Sequence, residues 1–380
     1  MTDSQWKKLV ASGGVLNKKG DIWYPSEGFK KGAESGEIED RNEIKDFYRP
    51  VMISFIECKN VLLDGPVFQN SPAWNIHPLL CTNLTVRNID VRNPWYSQNG
   101  DGIDIESCKN SVVYNCTFDV GDDAICIKSG KDKEGRDRNI PTENIIVKNC
   151  VVYHGHGGVT VGSEMSGGVK NMHVSNCTFI GTDVGLRFKS QRGRGGIVEK
   201  IYISNIDMVN IPTNAISFNL YYGGLSVTEM LAQEDDDQQE LGIPAVSEET
   251  PQFKDISIKN ITCKGAMQAI YLQGLPEMNL ENVYLENLTM EAENGLFCMD
   301  ATGITIKNLN LIAKNHPEMT FHNAKNVLVE GLDMPDVDNA RISVNGEQSE
   351  NIRIGMVENR GSADILILGE KVKAGEIQVN

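Results

Sequence analysis

A chain of 380 residues with 40% hydrophobic and 23% charged residues has ample material for a folded core and lacks the composition of a disordered segment. Its formal net charge of -16 excludes a general binder of nucleic acid or of an anionic membrane surface, so any anionic ligand must meet a local basic patch. No apolar run approaches the roughly eighteen residues of a membrane span, and Met1-Thr2-Asp3 followed by Trp6-Lys7-Lys8 is not a signal peptide.

The first fifty residues are irregular, with Trp6, Trp23, Tyr24 and Pro25 scattered among many charges. They are expected to form a cap, a long loop or the remnant of earlier turns, ahead of a repetitive region over 51–380. A solenoid needs such caps because an open turn exposes strand edges and core. The repeat starts near residue 60, where a short alternating run is followed by Asn or Gly and a second short run. Copies include VLLDGPVF (Val61 to Phe68), LTVRNIDV (Leu84 to Val91), VVYNCTF (Val112 to Phe118), IIVKNCVV (Ile145 to Val152), MHVSNCTF (Met172 to Phe179), ISIKNITC (Ile256 to Cys263) and ITIKNLNL (Ile304 to Leu311).

Asn88, Asn115, Asn149, Asn176, Asn205, Asn260, Asn287 and Asn308 mostly recur about 21 to 34 residues apart, a solenoid period. The wider gap after Asn205 holds an insertion, in which Gln233 to Gln239 reads as a solvated loop or a cleft wall. Alternation over four to six positions means strands, and the lack of long 3.6-period stretches argues against helical or leucine-rich solenoids. The architecture that fits is an all-β parallel β-helix, in which equal repeat positions stack about 4.8 Å apart. The asparagines then form a structural ladder, and the NxT triplets at Asn83, Asn115, Asn176, Asn260 and Asn287 belong to the repeat rather than to glycosylation. Nine cysteines, an odd number without a CxxC pair, read as buried free thiols rather than disulfides or a metal site.

A second ladder aligns without gaps: DGIDIES (Asp101 to Ser107), DAICIKS (Asp123 to Ser129), GGVTVGS (Gly157 to Ser163) and VGLRFKS (Val184 to Ser190). Ile103/Ile105, Ile125/Ile127, Val159/Val161 and Leu186/Phe188 share the core-facing parity, and the residues between them are expected to face solvent. In this register Asp101 and Asp123 occupy one position on consecutive turns, and Asp122 and His156 occupy the position before it. Arg187 and Lys189 project to the same face one turn on, with Lys128 in the column of Lys189. Clustered carboxylates repel one another, so at least one should keep its proton to higher pH, as a general acid requires, while another stays ionised as a base. Such a pair serves glycoside hydrolysis, and the adjoining cations suit a sugar that bears carboxylates.

At these residues the chain resembles glycoside hydrolase family 28. Asn99-Gly100-Asp101, Gly121-Asp122-Asp123, Gly155-His156-Gly157 and Arg187-Phe188-Lys189 are similar to the four parts of its signature, in order. The resemblance runs from about Arg49-Pro50 to at least Asn308 and implies a single-domain right-handed parallel β-helix of the pectin-lyase-like kind. It also implies inverting hydrolysis of polygalacturonate without a cofactor or metal. Asp122 would be the general acid, Asp101 and Asp123 would position and deprotonate the water, and His156 would tune the acid. Arg187 and Lys189 would grip the galacturonate carboxylate, with a family tyrosine matching Tyr221 or, equally loosely, Tyr222. Lys189 to Gly196 (KSQRGRGG) resembles the exo-acting branch, which makes Arg192 and Arg194 candidates for further uronate carboxylates, and Gly223 to Pro251 a possible block of the cleft end.

Family members begin with a signal peptide and earlier turns carrying a GxGxIDG-like segment, so a truncated form or an internal start is expected here. Secreted or periplasmic placement follows from the family alone. A hydrolase of rhamnogalacturonan or xylogalacturonan, a lyase on the same fold and a non-catalytic carbohydrate-binding β-helix remain open at this level.

Overall fold

Short runs of alternating burial form strands, and their stacking turn upon turn builds the fold. The computed structural model describes residues 3–34, 40–222, 243–334, 341–356 and 365–379. The chain divides into two units, Met1–Met52 and Ile53–Asn380.

The first unit holds two helices, Asp3–Ala11 and Glu27–Glu34, an antiparallel pair formed by Val15–Leu16 and Trp23–Tyr24, and a 3₁₀ helix at Arg41–Phe47. Asp40 caps the 3₁₀ helix by accepting the Asn42 N–H. Phe29 and Ile44 are its buried side chains. The Phe29 ring meets Phe47 edge-on at 5.6 Å, and the Arg49 guanidinium lies 5.5 Å over it.

The second unit is a parallel β-solenoid with three strand ladders. The first opens with Ile53–Ile56, Ile76–Leu79, Ile103–Glu106 and Ile125–Lys128, each pairing in parallel with its copy on the next turn. The second opens with Lys59–Asp64, Thr82–Arg87, Lys109–Tyr114 and Thr142–Lys148. The third opens with Val67–Gln69, Asp90–Arg92 and Thr117–Asp119. In later turns the strands run on through the bends, as in Ile197–Asn219 and Leu280–Ala313.

Asparagine makes the bends. Asn115, Asn149, Asn176, Asn205, Asn260, Asn287 and Asn308 all have φ between 53° and 57°, a left-handed conformation that Asn tolerates better than other side chains. From Asn149 onward each amide donates to the Asn one turn back, for instance Asn205 to Asn176 at 3.0 Å and Asn260 to Asn205 at 2.9 Å. A further ladder, unread in the sequence, runs through Asn60, Asn83, Asn110, Asn144 and Asn171 at the preceding bend.

The interior is one apolar column of Ile, Val and Leu in which Phe188 and Phe218 stack at 4.3 Å and Phe253 meets both edge-on. All nine cysteines are free, and all but Cys58 are buried. The loop expected at Gln233 to Gln239 lies outside the described residues.

The ladder generates a stability test. Asn176→Ala should cost about 2 kcal/mol, roughly half from forcing Ala into the left-handed region and half from lost amide bonds. Asn176→Gly should recover the first half. Urea midpoints should therefore rank wild type above Gly above Ala, whereas equal midpoints for Gly and Ala would show that backbone conformation is not what selects Asn.

Candidate active site

The first ladder positions the site. Ile103 pairs with Ile125, Ile125 with Val159, and Val159 with Leu186, so residues just ahead of these strands stack at one bend. Gly102 N–H donates to the Asp123 carbonyl at 3.0 Å, and His156 N–H to the Asp122 carbonyl at 2.9 Å. Asp101 therefore stands beside Asp123, and Asp122 beside His156, as the sequence register requires. Arg187 and Lys189 reach back to the same bend.

The three signature aspartates have different surroundings. Asp122 is the accessible one, its side chain 17% exposed. One of its oxygens accepts Asn99 N–H at 3.1 Å, and the other accepts Asp123 N–H at 3.0 Å and meets His156 Nδ1 at 3.1 Å. The far nitrogen of His156 lies 3.7 Å from Asp183, so the imidazole stands between two carboxylates. Asp123 is buried, with Arg187 at 2.9 Å on one oxygen and Lys189 at 2.7 Å on the other. A Cβ at Gly157 would stand 2.7 Å from Asp123 Oδ1, so this glycine leaves the space the carboxylate occupies. Asp101 is buried too, and its Oδ2 accepts a long hydrogen bond from the Cys126 thiol at 3.4 Å.

These surroundings separate the affinities for protons. Burial works to raise the Asp123 carboxyl, but the charges of Lys189 and Arg187 overcome it and hold the group well below the usual carboxylate range. Burial, then the charge of Asp104, pushes Asp101 well above that range. Asp104 is raised to about 7 by burial, against the pull of Lys128. His156 is raised by its hydrogen bond to Asp122, with further support from the charges of Asp122 and Asp183 against burial. The proton expected to persist in the cluster thus belongs with Asp101 and with Asp104, a residue the sequence reading did not single out.

Several expectations are corrected. The column between the core-facing residues does not face solvent: Asp104, Cys126 and Thr160 are fully buried, because the amines of Lys128 and Lys189 fold across this face onto Asp104 and Asp123. Arg187 and Lys189 are not free cations, since both are bound to Asp123, and a substrate carboxylate must join that cluster. Tyr221 does not open into the site. It is buried, with its ring under the Arg192 guanidinium at 5.1 Å and its hydroxyl turned to the same arginine. Tyr222 is the tyrosine against the site cations, 4.9 Å from Lys189 and 5.7 Å from Arg187. Arg192 is held by Glu277 at 2.5 and 2.8 Å, and Arg194 is buried against Asp132. Both arginines are paired and anchor the segment after Lys189, Arg192 with its side chain still 39% exposed and Arg194 buried.

Sequence reasoning also missed Asp183 and Lys128's full setting. Lys128 lies 4.6 Å over the Trp74 ring, 3.4 Å from Asp104 and 3.5 Å from Glu164. The signal for Asp104 was present, because it shares the column of Arg187 three turns on, but polar residues of that parity were read as exposed.

The family model for glycosyl hydrolases family 28 matches residues 1–298, which extends the likeness back over the first fifty residues. The chain is 24% identical over 283 residues to a probable polygalacturonase of Vitis vinifera, covering 74% of this chain and 52% of that protein. It is 28% identical over 291 residues to the exo-poly-alpha-D-galacturonosidase of Dickeya chrysanthemi, covering 74% and 46%. The chain thus spans about half the length of these curated relatives. Among solved structures, a hyperthermoactive exopolygalacturonase from Thermotoga maritima matches with a TM-score of 0.57 at 30% identity, covering 75% of this chain and 55% of that one. A family 28 exopolygalacturonase of Yersinia enterocolitica shares the fold, with a TM-score of 0.64 at 20% identity over 79% and 51% of the two chains.

The position of His156 between two carboxylates predicts its titration. Asp122→Asn should lower its midpoint toward that of an ordinary histidine, and Asp183→Asn should lower it by less, as followed by NMR of the ring protons. A midpoint unmoved by Asp122→Asn would contradict the pairing.

Proposed function

Because the chain belongs to glycosyl hydrolase family 28, we propose that it hydrolyses α-1,4-galacturonosidic bonds of polygalacturonate with inversion, acting from a chain end. The observation that carries this reading is the division of labour in one cluster: an accessible carboxyl at Asp122, an ionised and cation-bound one at Asp123, and a proton-retaining one at Asp101.

Asp122, the carboxyl open to solvent, takes up a proton from solvent and gives it to the glycosidic oxygen as the bond from that oxygen to the anomeric carbon breaks. A water on the opposite face, held on the Asp101/Asp123 side, forms the new carbon–oxygen bond and loses its proton to the ionised Asp123, which gives single displacement and inversion. His156, bound to Asp122, orients the acid and supplies positive charge beside it. Arg187, Lys189 and the Tyr222 ring receive the galacturonate carboxylate, which makes the local basic patch that a chain of net charge -16 needs for an anionic polymer.

The unit Ile53–Asn380 carries the whole cluster and is the catalytic unit. Exo action is supported by the printed names of the Dickeya and Thermotoga proteins and by the anchored Lys189 to Gly196 segment. The stretch weighed as a block of the cleft end, Gly223 to Pro251, lies largely outside the described residues. Since pectin is outside the cell, the reading places the enzyme in a secreted or periplasmic setting; among the described residues no helix is long and apolar enough to cross a membrane.

A time course on polygalacturonate should release galacturonate monomer from the start, with no ultraviolet-absorbing product. A ladder of oligomers would replace exo by endo action, and an absorbing product would mean a lyase. Asp122→Asn should lower kcat by about 10²–10⁴-fold with the folded signal intact. An unaltered rate would remove Asp122 from the role of acid.

A further inference from the structure

Charge balance under the site leaves one feature that the reaction scheme does not use. Three carboxyls, Asp101, Asp104 and Asp123, are buried at 3%, 0% and 1% exposure. Asp123 takes both Arg187 and Lys189. Lys128 alone then faces Asp104, at 3.4 Å, and it also serves Glu164. Asp101 Oδ1 and both oxygens of Asp104 are shielded from solvent with no donor in good hydrogen-bond geometry among the described residues, and the groups nearest to completing one to Asp104 are the Asp101 carboxyl and the Cys126 thiol. A buried, unpaired carboxylate is too costly to keep its charge, and two of them beside one shared cation cannot both ionise.

We propose that Asp101 and Asp104 hold a single proton between them, and that Asp104 is a positioning residue acting through Asp101, so that Asp123 alone of the water-side carboxyls is fully ionised. The inference rests on the hydrolase reading for its catalytic meaning, and the shared proton itself rests on the geometry.

Among the described residues the neighbouring charged groups are otherwise engaged. On the preceding turn His77 occupies the column of Asp104, but its Nε2 is bound to Glu106 at 2.9 Å. Glu106, on the strand of Asp104, is bound to Arg138 at 2.9 Å as well. On the following turn stand Asp122, Asp123, the Cys126 thiol and Lys128. The thiol is pushed well above its usual value by burial and by these carboxylates, so it stays a neutral donor. A proton between two carboxyl groups satisfies two of the orphaned oxygens at once and removes one buried charge. The raised proton affinities of Asp101 and Asp104 agree with this arrangement. Because both groups bind protons more tightly folded than unfolded, the stability they contribute is present at low pH and lost as pH rises through about 7.

The test is an infrared titration of the full folded chain without substrate, comparing wild type with Asp104→Asn and Asp101→Asn. Wild type should keep the carbonyl band of a protonated carboxyl to near neutral pH, beyond the point where Asp300, raised to about 6 by burial, has ionised, and each substitution should abolish that most persistent part of the band. Absence of the band in wild type, or its survival in both variants, overturns the proposal, and the wild-type spectrum decides even if a variant fails to fold. On polygalacturonate, Asp104→Asn should lower kcat at least about tenfold with KM nearly unchanged and should displace the alkaline limb of the pH profile. A lower kcat on an undisplaced profile would make Asp104 merely structural. If wild type turned over no substrate, the hydrolase reading would fail while the infrared result still judged the shared proton.

Discussion

Every feature of the site depends on in-register pairing of parallel strands from one turn to the next. Each inter-turn hydrogen bond places a residue over its counterpart about 4.8 Å away, so at the site the neighbours on adjacent turns are residues some 22 to 34 positions apart in the chain. A one-residue slip would turn Asp104, Cys126, Thr160 and Arg187 into the core and expose the Ile, Val and Leu beside them. The apolar column and the asparagine ladders at two bends oppose that slip. Catalytic geometry is thus inherited from a structural repeat.

The same columns solve an electrostatic problem. Buried carboxylates are unfavourable unless compensated, and the coil brings compensation from the next turns: Lys128 to Asp104, Arg187 and Lys189 to Asp123. Gly157 leaves the volume, and Asn99 and His156 hold the one carboxyl that stays open to a ligand. Identical side-chain chemistry at Asp101 and Asp123 therefore yields one proton-retaining and one ionised carboxyl, beside the accessible one at Asp122. The cations suited to a uronate also hold Asp123.

Much of this was legible in the sequence because alternation and spacing are backbone properties. The alignment of Asp101 with Asp123 and of Asp122 with His156 follows from counting, and so does one asparagine ladder. Burial on the outer face was not legible: parity says that Asp104 points away from the core, and only the reach of Lys128 and Lys189 from adjacent turns buries it. Neighbouring tyrosines were indistinguishable by pattern, and the bend after Asn219 sends Tyr221 beneath Arg192 and Tyr222 onto Lys189. Arg192 and Arg194 carried the right charge for a uronate, but their partners Glu277 and Asp132 lie far away in sequence. The first fifty residues gave no periodicity because their structure is local, built from short helices and a two-stranded pair.

The central claim is that this cluster performs a single displacement at the anomeric carbon, with an acid at Asp122 and a water on the opposite face. Proton NMR of the first sugar released, read before the anomers equilibrate, tests it most directly. The account predicts β-galacturonate from the α-linked chain. Initial release of the α-anomer would contradict it, because retention requires a covalent intermediate that this arrangement of carboxyls was not assigned to form.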